Sequence, residues 1–135
     1  AHDCQLGDGV IMANQSALLV RGMVEISRLG IALGARRETF MGLAGMGDLI
    51  TTCISPHGRN RAVGIRIGKG ESLKDIIKSM EQVAEGVWTT RAAIKLARTH
   101  KVEMPITDQV AKILFNNKAP KKAIKDLIKR PLKAE

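Results

Sequence analysis

Apolar residues in the 14–33 stretch recur at alternating steps of three and four, which is the spacing of one face of an α-helix. Charged side chains fall between them, Glu25 among them, and form the opposite, polar face. Asn14 is suited to cap the start of this helix, and Gly34 is suited to end it. The pattern therefore predicts a long amphipathic helix over 14–33. Its apolar face comprises Leu19, Met23, Ile26 and Leu33.

The rest of the chain predicts shorter helices separated by glycine and proline. Three of these helices cover 38–43, 60–67 and 72–80. Three more begin after Gly86, near Thr107 and at Pro120. Ser72 with Asp75 forms a capping signature, and Thr107 is expected to cap its own helix. Residues 48–53 fit either a helix or a strand. Because no stretch alternates apolar and polar residues with period two, we predict an all-α fold of about seven helices.

Composition indicates one globular domain and excludes several function classes. The 135 residues are 44% apolar, so residues 1–135 are expected to form one domain with a buried core. Aromatic residues, at 2%, are too few for base-stacking or carbohydrate-binding platforms. No window approaches the ~18 apolar residues of a membrane span, and no signal-peptide pattern is present. Cys4 and Cys53 fit neither a zinc site nor a disulfide framework, so we expect no metal and a cytoplasmic location.

Positive charge is concentrated towards the C-terminal end of the sequence. The net charge is +9, and residues 91–135 contribute 12 basic against 4 acidic side chains. Such an excess is typical of a small helical nucleic-acid-binding module, and equally of a solvated helical face in a part of a larger protein. A non-enzymatic dimerisation bundle is a further alternative. The charge alone does not decide among them.

A glycine-rich stretch at 42–49 is the first candidate for chemistry. Its order, G-x-x-G-x-G, differs from the dinucleotide-binding G-x-G-x-x-G, and no hydrophobic strand precedes it. One interpretation is close helix packing around a tight turn, which glycine permits. The other gives Asp48, just after the glycines, the role of orienting a hydroxyl or a lysine in a cleft.

The second candidate is the Arg59–Asn60 pair together with Arg61, which follow the Pro56–Gly58 loop and open a helix. An arginine fork binds phosphate through two hydrogen bonds, and a helix N-terminus adds backbone donors and a favourable dipole. The pair thus predicts a phosphate site, with a solvated arginine as the alternative. Glu85, which lies between Ala84 and a glycine, would contact a ligand hydroxyl or cap a helix.

Six blocks of the sequence, in order and in register over residues 17–135, closely resemble bacterial NAD(P)-dependent glycerol-3-phosphate dehydrogenase. They are RGMVEISRLG (21–30), TFMGLAGMGDL (39–49), TC (52–53), RNR (59–61), VAEG (83–86) and VEMPIT (102–107). The resemblance implies the C-terminal, substrate-binding domain of such an enzyme, with the N-terminal Rossmann domain absent from this chain. It also implies a multi-helix bundle like the C-terminal domain of 6-phosphogluconate dehydrogenase.

The activity that the resemblance implies is the interconversion of dihydroxyacetone phosphate and sn-glycerol 3-phosphate with NADH or NADPH, which feeds phospholipid synthesis. The cofactor, NAD or NADP, would be bound mainly by the absent domain. A cytoplasmic enzyme and a possible homodimer are expected, with no nucleic acid as a partner.

By position, the resemblance assigns roles to six residues of this chain. Asp48 should bind the substrate or hold the catalytic lysine, and Arg59 with Asn60 should bind the substrate phosphate. Gly58 stands where the family usually has serine, so one hydroxyl contact to the phosphate is lost. The remaining assignments concern the cofactor: Val83 and Glu85 should border its adenosine end, and Arg59 should also lie near it.

The general acid/base lysine of the family has no counterpart in this sequence. That lysine belongs to a Lys-Asn pair upstream of the first helix, whereas the first lysine here is Lys69. We therefore expect the lysine upstream of Ala1 and no catalytic residue in the chain itself. The isolated chain is accordingly expected to be inactive.

Overall fold

The computed structural model describes residues 18–131, and all regular structure in that range is helical. Helix α1 spans 18–32, and a single π-helical turn, Leu43–Gly47, lies between α2 and α3. The other helices are α2 (Arg37–Met41), α3 (Asp48–Ile54), α4 (Arg59–Gly68), α5 (Leu73–Ser79), α6 (Glu85–Thr99), α7 (Pro105–Phe115) and α8 (Pro120–Lys129). The all-α prediction is confirmed. Within the described residues the count is eight α-helices, because the ambiguous 48–53 stretch is helical.

The predicted end of α1 is confirmed at Gly34. This glycine has a φ of +94°, in the left-handed region that glycine adopts at low cost. Its N–H donates to the carbonyl of Ile31 at 2.9 Å, and the N–H of Ala35 donates to the carbonyl of Gly30 at 2.9 Å. This pair of bonds is a Schellman motif, which satisfies the last carbonyls of the helix. The predicted cap Asn14 lies outside the described residues.

Two predicted N-caps have different outcomes. Ser72 caps α5, since its hydroxyl oxygen accepts a hydrogen bond from the N–H of Asp75 at 3.2 Å. The prediction for Thr107 is wrong, because α7 starts earlier, at Pro105, and Thr107 lies inside its first turn. Proline is favoured there because its missing N–H would have no partner at that position in any case.

The main core lies between α4, α5 and α6. Its centre is Ile76, which has 0% of its surface exposed. Helix α7 contributes partly buried side chains that pack against it, among them Leu114. The buried residues of this cluster are Val63, Ile76, Ala84 and Val87. Because Val63 of α4 and Val87 of α6 belong to this core, it anchors both helices near their N-termini.

Helix α1 is attached to α7 and α8 by polar contacts as well as by packing. Arg21 donates from Nη1 to the carbonyl of Leu127 at 2.8 Å. Met23 of α1 is buried, as are Met104 before α7 and Leu127 on α8. The two ends of the described chain are thereby held together.

The stretch 37–54, which contains α2, the π-helical turn and α3, differs from the rest of the fold. It contains no buried residue, and Leu43 is 91% exposed. The ring of Phe40 lies directly against Gly30 of α1, where any Cβ would overlap it. We call this stretch the 37–54 segment.

Candidate functional site

The N-termini of α4 and α6 meet through the side chains of the Arg59–Asn60 pair. Asn60 accepts a hydrogen bond at Oδ1 from the N–H of Gly86 in the first turn of α6, at 3.0 Å. Arg59 donates from Nη1 to Oε1 of Gln82, just before α6, at 3.2 Å. We call these residues, Arg59, Asn60, Gln82 and Gly86, the α4–α6 corner. All of them lie at positive ends of helix dipoles or next to them.

Gly86 is required by the close approach of Asn60. A Cβ atom at position 86 would lie 2.7 Å from the Cγ, Oδ1 and Nδ2 atoms of Asn60. Since real Cβ contacts are longer than this, a larger residue would displace the amide. Gly86 therefore allows the N-termini of α4 and α6 to be joined by a single side chain.

The loop before α4 leaves the helix start open. Gly58 is the N-cap, with φ −64° and ψ 119°, and its carbonyl accepts the first helical bond from Ala62 at 2.9 Å. Glycine has no side chain to accept from the free N–H groups of the first turn, so these donors remain available. A Cβ at Gly58 would lie 3.4 Å from the carbonyl oxygens of Thr52 and Ser55, an ordinary contact distance. The serine that the family resemblance leads us to expect at this position would therefore fit.

The charge at the start of α4 is unusual for a helix. Its first turn contains no acidic residue and begins with Arg59, so a cation lies at the positive end of the dipole. That arrangement destabilises an isolated helix and favours a bound anion. The start of α6 follows the usual rule instead, with Glu85 in its first turn.

A cavity of about 350 Å³ lies beside the corner, between α4, α6 and α7. Asn60, Gly86 and Thr90 contribute its polar atoms, and apolar side chains such as Val63 and Leu114 form much of its wall. The hydrogen-bonded corner therefore borders an open cleft of the size of a small ligand.

Asp48 lies outside this corner, at the first position of α3. Its N–H donates to the carbonyls of Gly45 and Leu43, which joins α3 to the π-helical turn. Its side chain is exposed and, within residues 18–131, makes no hydrogen bond or ion pair. The partners of Arg59 and Asn60 thus lie together at the start of α6 and just before it, and within residues 18–131 Asp48 forms no hydrogen bond or ion pair with either residue.

One of the glycines before Asp48, Gly45, is required by close packing. A Cβ at Gly45 would overlap the backbone of Phe40, including its carbonyl oxygen. The close-packing interpretation is confirmed at this position. π-Helical turns are rare and occur often next to functional sites, where they re-aim the residues that follow. Here the residue that follows is Asp48.

Val83 and Glu85 lie on either side of Ala84 at the start of α6. Ala84 is buried in the core, whereas Glu85 is exposed and Val83 is 59% exposed. Both therefore face solvent next to the α4–α6 corner. Their contact with the cofactor stays a prediction.

Two residues with structural roles here were not found from the sequence. Gln82, the partner of Arg59, precedes the VAEG block and carries no signal of its own. Glu25, predicted on the polar face of α1, is only 3% exposed. Its carboxylate accepts from the N–H groups of Ile106 and Thr107 and from the hydroxyl of Thr107. Burial raises the pKa of Glu25, although these hydrogen bonds oppose the rise.

Glu25 therefore caps the N-terminus of α7. The N-cap residue of that helix, Met104, has no side-chain acceptor, so a carboxylate from α1 satisfies the first N–H groups instead. Thr107, inside the first turn, donates both its hydroxyl and its N–H to Glu25 and is therefore a donor to this cap.

No larger polar cluster suggests a metal site. Among residues 18–131, no group of three or more His, Cys, Asp or Glu side chains is arranged to hold an ion. In the same range, no helix is long and apolar enough to cross a membrane.

Comparison with known families decides the identity. Residues 4–125 match the family described as the NAD-dependent glycerol-3-phosphate dehydrogenase C-terminus. The chain belongs to this family. The predicted resemblance to the glycerol-3-phosphate dehydrogenase family is thereby confirmed.

Individual relatives agree with this assignment. A glycerol-3-phosphate dehydrogenase [NAD(P)+] of Salinibacter ruber is 52% identical over 132 residues, covering 96% of this chain and 39% of the relative. One from Syntrophotalea carbinolica is 51% identical over 121 residues, covering 90% and 36%. The crystal structure of the Coxiella burnetii glycerol-3-phosphate dehydrogenase superposes with a TM-score of 0.84 at 38% identity, covering 91% of this chain and 38% of that one. The chain thus spans less than two fifths of the length of these relatives.

Proposed function

We propose that this chain is the substrate-binding part of an NAD(P)-dependent glycerol-3-phosphate dehydrogenase, which interconverts dihydroxyacetone phosphate and sn-glycerol 3-phosphate. In this proposal the α4–α6 corner binds the substrate phosphate. The supporting observation is the open start of α4, where Arg59 lies with no acidic residue in the first turn. An anion there gains an arginine fork, free N–H groups and the helix dipole together.

The hydrogen bond from Gly86 sets which atom of Asn60 faces the ligand. Because the N–H of Gly86 needs an acceptor, Oδ1 of Asn60 must point towards it. The Nδ2 group, which makes no hydrogen bond within residues 18–131, is then left to donate to a phosphate oxygen. Gln82 holds the guanidinium of Arg59 through one nitrogen only, so its other N–H groups stay available.

The cofactor and the proton donor complete the proposed reaction from outside the α4–α6 corner. NAD or NADP supplies hydride transfer when it is bound, and Arg59, Val83 and Glu85 are the residues of this chain proposed to lie beside it. The lysine expected upstream of Ala1 would protonate the alkoxide that forms from the ketone. Asp48 is proposed to contact the substrate or that lysine, which suits an exposed carboxylate without a partner of its own.

Binding can be tested on the chain itself by thermal unfolding. A ligand that binds only the folded state raises Tm in proportion to ln(1 + [L]/Kd). We expect sn-glycerol 3-phosphate to raise Tm and glycerol at the same concentration to leave it unchanged. Arg59→Ala should weaken the binding by about 10- to 100-fold, since a charge-assisted hydrogen bond contributes about 1.5–3 kcal/mol.

Arg61→Ala is the matched control. Arg61 lies on the same helix, two residues further on, and is exposed. It should keep the effect of the ligand on Tm. Loss of the effect in both variants, or in neither, would contradict the assignment of the phosphate to Arg59. With dihydroxyacetone phosphate and NADPH, the chain alone should show no NADPH oxidation above a buffer blank.

Ion pairs beside α8, at the end of the basic C-terminal region, support the solvated-face interpretation over nucleic-acid binding for that part of the chain. Several of its cations are already paired: Lys118 with Asp126 at 2.6 Å, and Arg130 with Glu103 at 3.0 Å. Surface pairs of this kind reduce the field available to a polyanion. A homodimer and a cytoplasmic location stay predictions of the family resemblance.

A further inference from the structure

A groove between α6 and α7 lies away from the α4–α6 corner and carries a second concentration of positive charge. It encloses about 470 Å³. The α6 wall presents three cations, Arg91, Lys95 and Arg98, and the α7 wall presents Lys112 and the carboxylate of Asp108. Four cations therefore share the groove with one anion.

The three cations of α6 form one stripe. Positions 91, 95 and 98 are separated by four and three residues, so their side chains lie on the same face and extend over about 10 Å of the helix. Within residues 18–131 none of the three forms an ion pair. Like charges at this spacing repel each other and destabilise the helix, unless an anion lies between them.

The single carboxylate in the groove does not neutralise this stripe. Asp108 forms an ion pair with Lys112 of its own helix at 2.7 Å. The charge of the α6 stripe is therefore not matched by any group on the opposite wall.

Arg91 is held in place by two aromatic rings. Its guanidinium carbon lies 4.2 Å from the centroid of the Phe115 ring and 5.9 Å from that of Trp88. Stacking on a ring uses the face of the guanidinium and leaves its N–H edge free to donate. Because the rings already restrict the Arg91 side chain, it loses less conformational freedom on binding an anion than an unstacked arginine would.

From this arrangement we propose that the α6–α7 groove is a second anion site, specific for a small molecule with two or more phosphoryl groups. The cations are spread over about two helical turns, which suits several phosphoryl groups better than one. The site uses side chains alone, whereas the α4–α6 corner uses a helix start. It goes beyond the proposed function, because none of its residues takes part in the substrate phosphate contact.

The chain provides its own probe for this site. Trp88 is the single tryptophan of the sequence, and it contacts Arg91 at the edge of the groove. Inorganic tripolyphosphate, added at constant ionic strength, should give a saturable change in tryptophan fluorescence. Orthophosphate under the same conditions should bind at least about tenfold more weakly, because it spans fewer of the cations.

Two double variants separate a site from general attraction. Lys95→Gln with Arg98→Gln should raise the Kd for tripolyphosphate by at least about tenfold. Lys74→Gln with Lys78→Gln removes the same charge from exposed positions of α5 and should leave the Kd within about twofold. All four positions are exposed, and circular dichroism checks that both variants fold.

Three results would overturn the proposal. One is the absence of a saturable response in the unchanged chain, by fluorescence and by calorimetry. Another is an equal loss in both double variants, which indicates attraction by net charge. The third is loss of tripolyphosphate binding in Arg59→Ala with retention in the α6 variant, which assigns that ligand to the α4–α6 corner. Since Arg59 is varied separately, rejection of the second anion site does not affect the proposal that Arg59 contacts the substrate phosphate.

Discussion

The α4–α6 corner and the 37–54 segment both carry residues assigned to substrate binding, but they are held in different ways. Behind the corner lies the core around Ile76, and side-chain hydrogen bonds join its two helices. The segment has no buried residue; the ring of Phe40 lies against Gly30 of α1, and the backbone of Phe40 packs closely against Gly45 within the segment itself. The core and these hydrogen bonds thus hold the residues proposed to bind phosphate, whereas the position of Asp48 depends on how the segment packs.

The largest expected difference between the two regions is in stability. Ile76→Ala removes a fully buried side chain and should lower the free energy of unfolding by about 2–5 kcal/mol. Leu43→Ala in the segment should change it by less than about 0.5 kcal/mol, because Leu43 is 91% exposed. Urea denaturation of both variants measures this. Equal losses would mean that the segment is part of the same core.

A glycine substitution should disturb the segment alone. Gly45→Ala places a Cβ against the backbone of Phe40, which has little freedom to move, and should cost about 1–3 kcal/mol. Gly47→Ala is the control, since its Cβ would be 3.4 Å from a Leu43 methyl group, an ordinary contact. Hydrogen exchange should become faster in 37–54 for the first variant only. Faster exchange throughout α4 and α6 would show that the two regions are not independent.

The corresponding test at the corner is Gly86→Ala. The added methyl group displaces the amide of Asn60 and removes one hydrogen bond, a loss of about 0.5–1.5 kcal/mol. Gly64→Ala, within α4, meets no atom within 4 Å and should stabilise the chain by up to about 1 kcal/mol through helix propensity. Thermal unfolding with and without sn-glycerol 3-phosphate should show loss of ligand binding in Gly86→Ala alone.

The smallest effect concerns pH and Glu25 of α1, the helix against which Phe40 of the segment packs. Burial raises the pKa of Glu25, so the folded state keeps its proton to higher pH than the unfolded state does. The contribution of Glu25 to stability is therefore full below about pH 4.5 and declines as pH rises through its native pKa. Glu25→Gln should remove this slope from urea unfolding measured between pH 4 and pH 7. An unchanged slope would assign the titration to another group.

Features set by neighbouring residues were predictable from the sequence. The stop at Gly34 and the cap at Ser72 depend on residues at most a few positions away, and both are confirmed. The helix over 60–67 and the one from Pro120 were predicted for the same reason and lie within one residue of their observed starts. The 48–53 stretch was not decided, because its conformation depends on the π-helical turn before it.

Features that join distant parts of the chain were not predictable. Glu25 has the spacing of a surface residue on α1, and only the position of α7 makes it a buried cap. Gln82 becomes the partner of Arg59 because α4 and α6 meet, which no local pattern indicates. The position of Arg59 and Asn60 at a helix start was predictable, since it depends on the local loop before them. Their binding of phosphate stays a proposal.

The π-helical turn before Asp48 also determines the direction in which α3 presents its side chains. Such a turn contains one more residue than the α-helical turn it replaces, and each residue of an α-helix adds about 100° of rotation. Deleting one residue from Leu43–Gly47 would therefore turn every later side chain of α3 by nearly a third of a circle. The number of residues in this short stretch thus determines the direction in which the Asp48 side chain points, and it leaves the chemistry of that side chain unchanged.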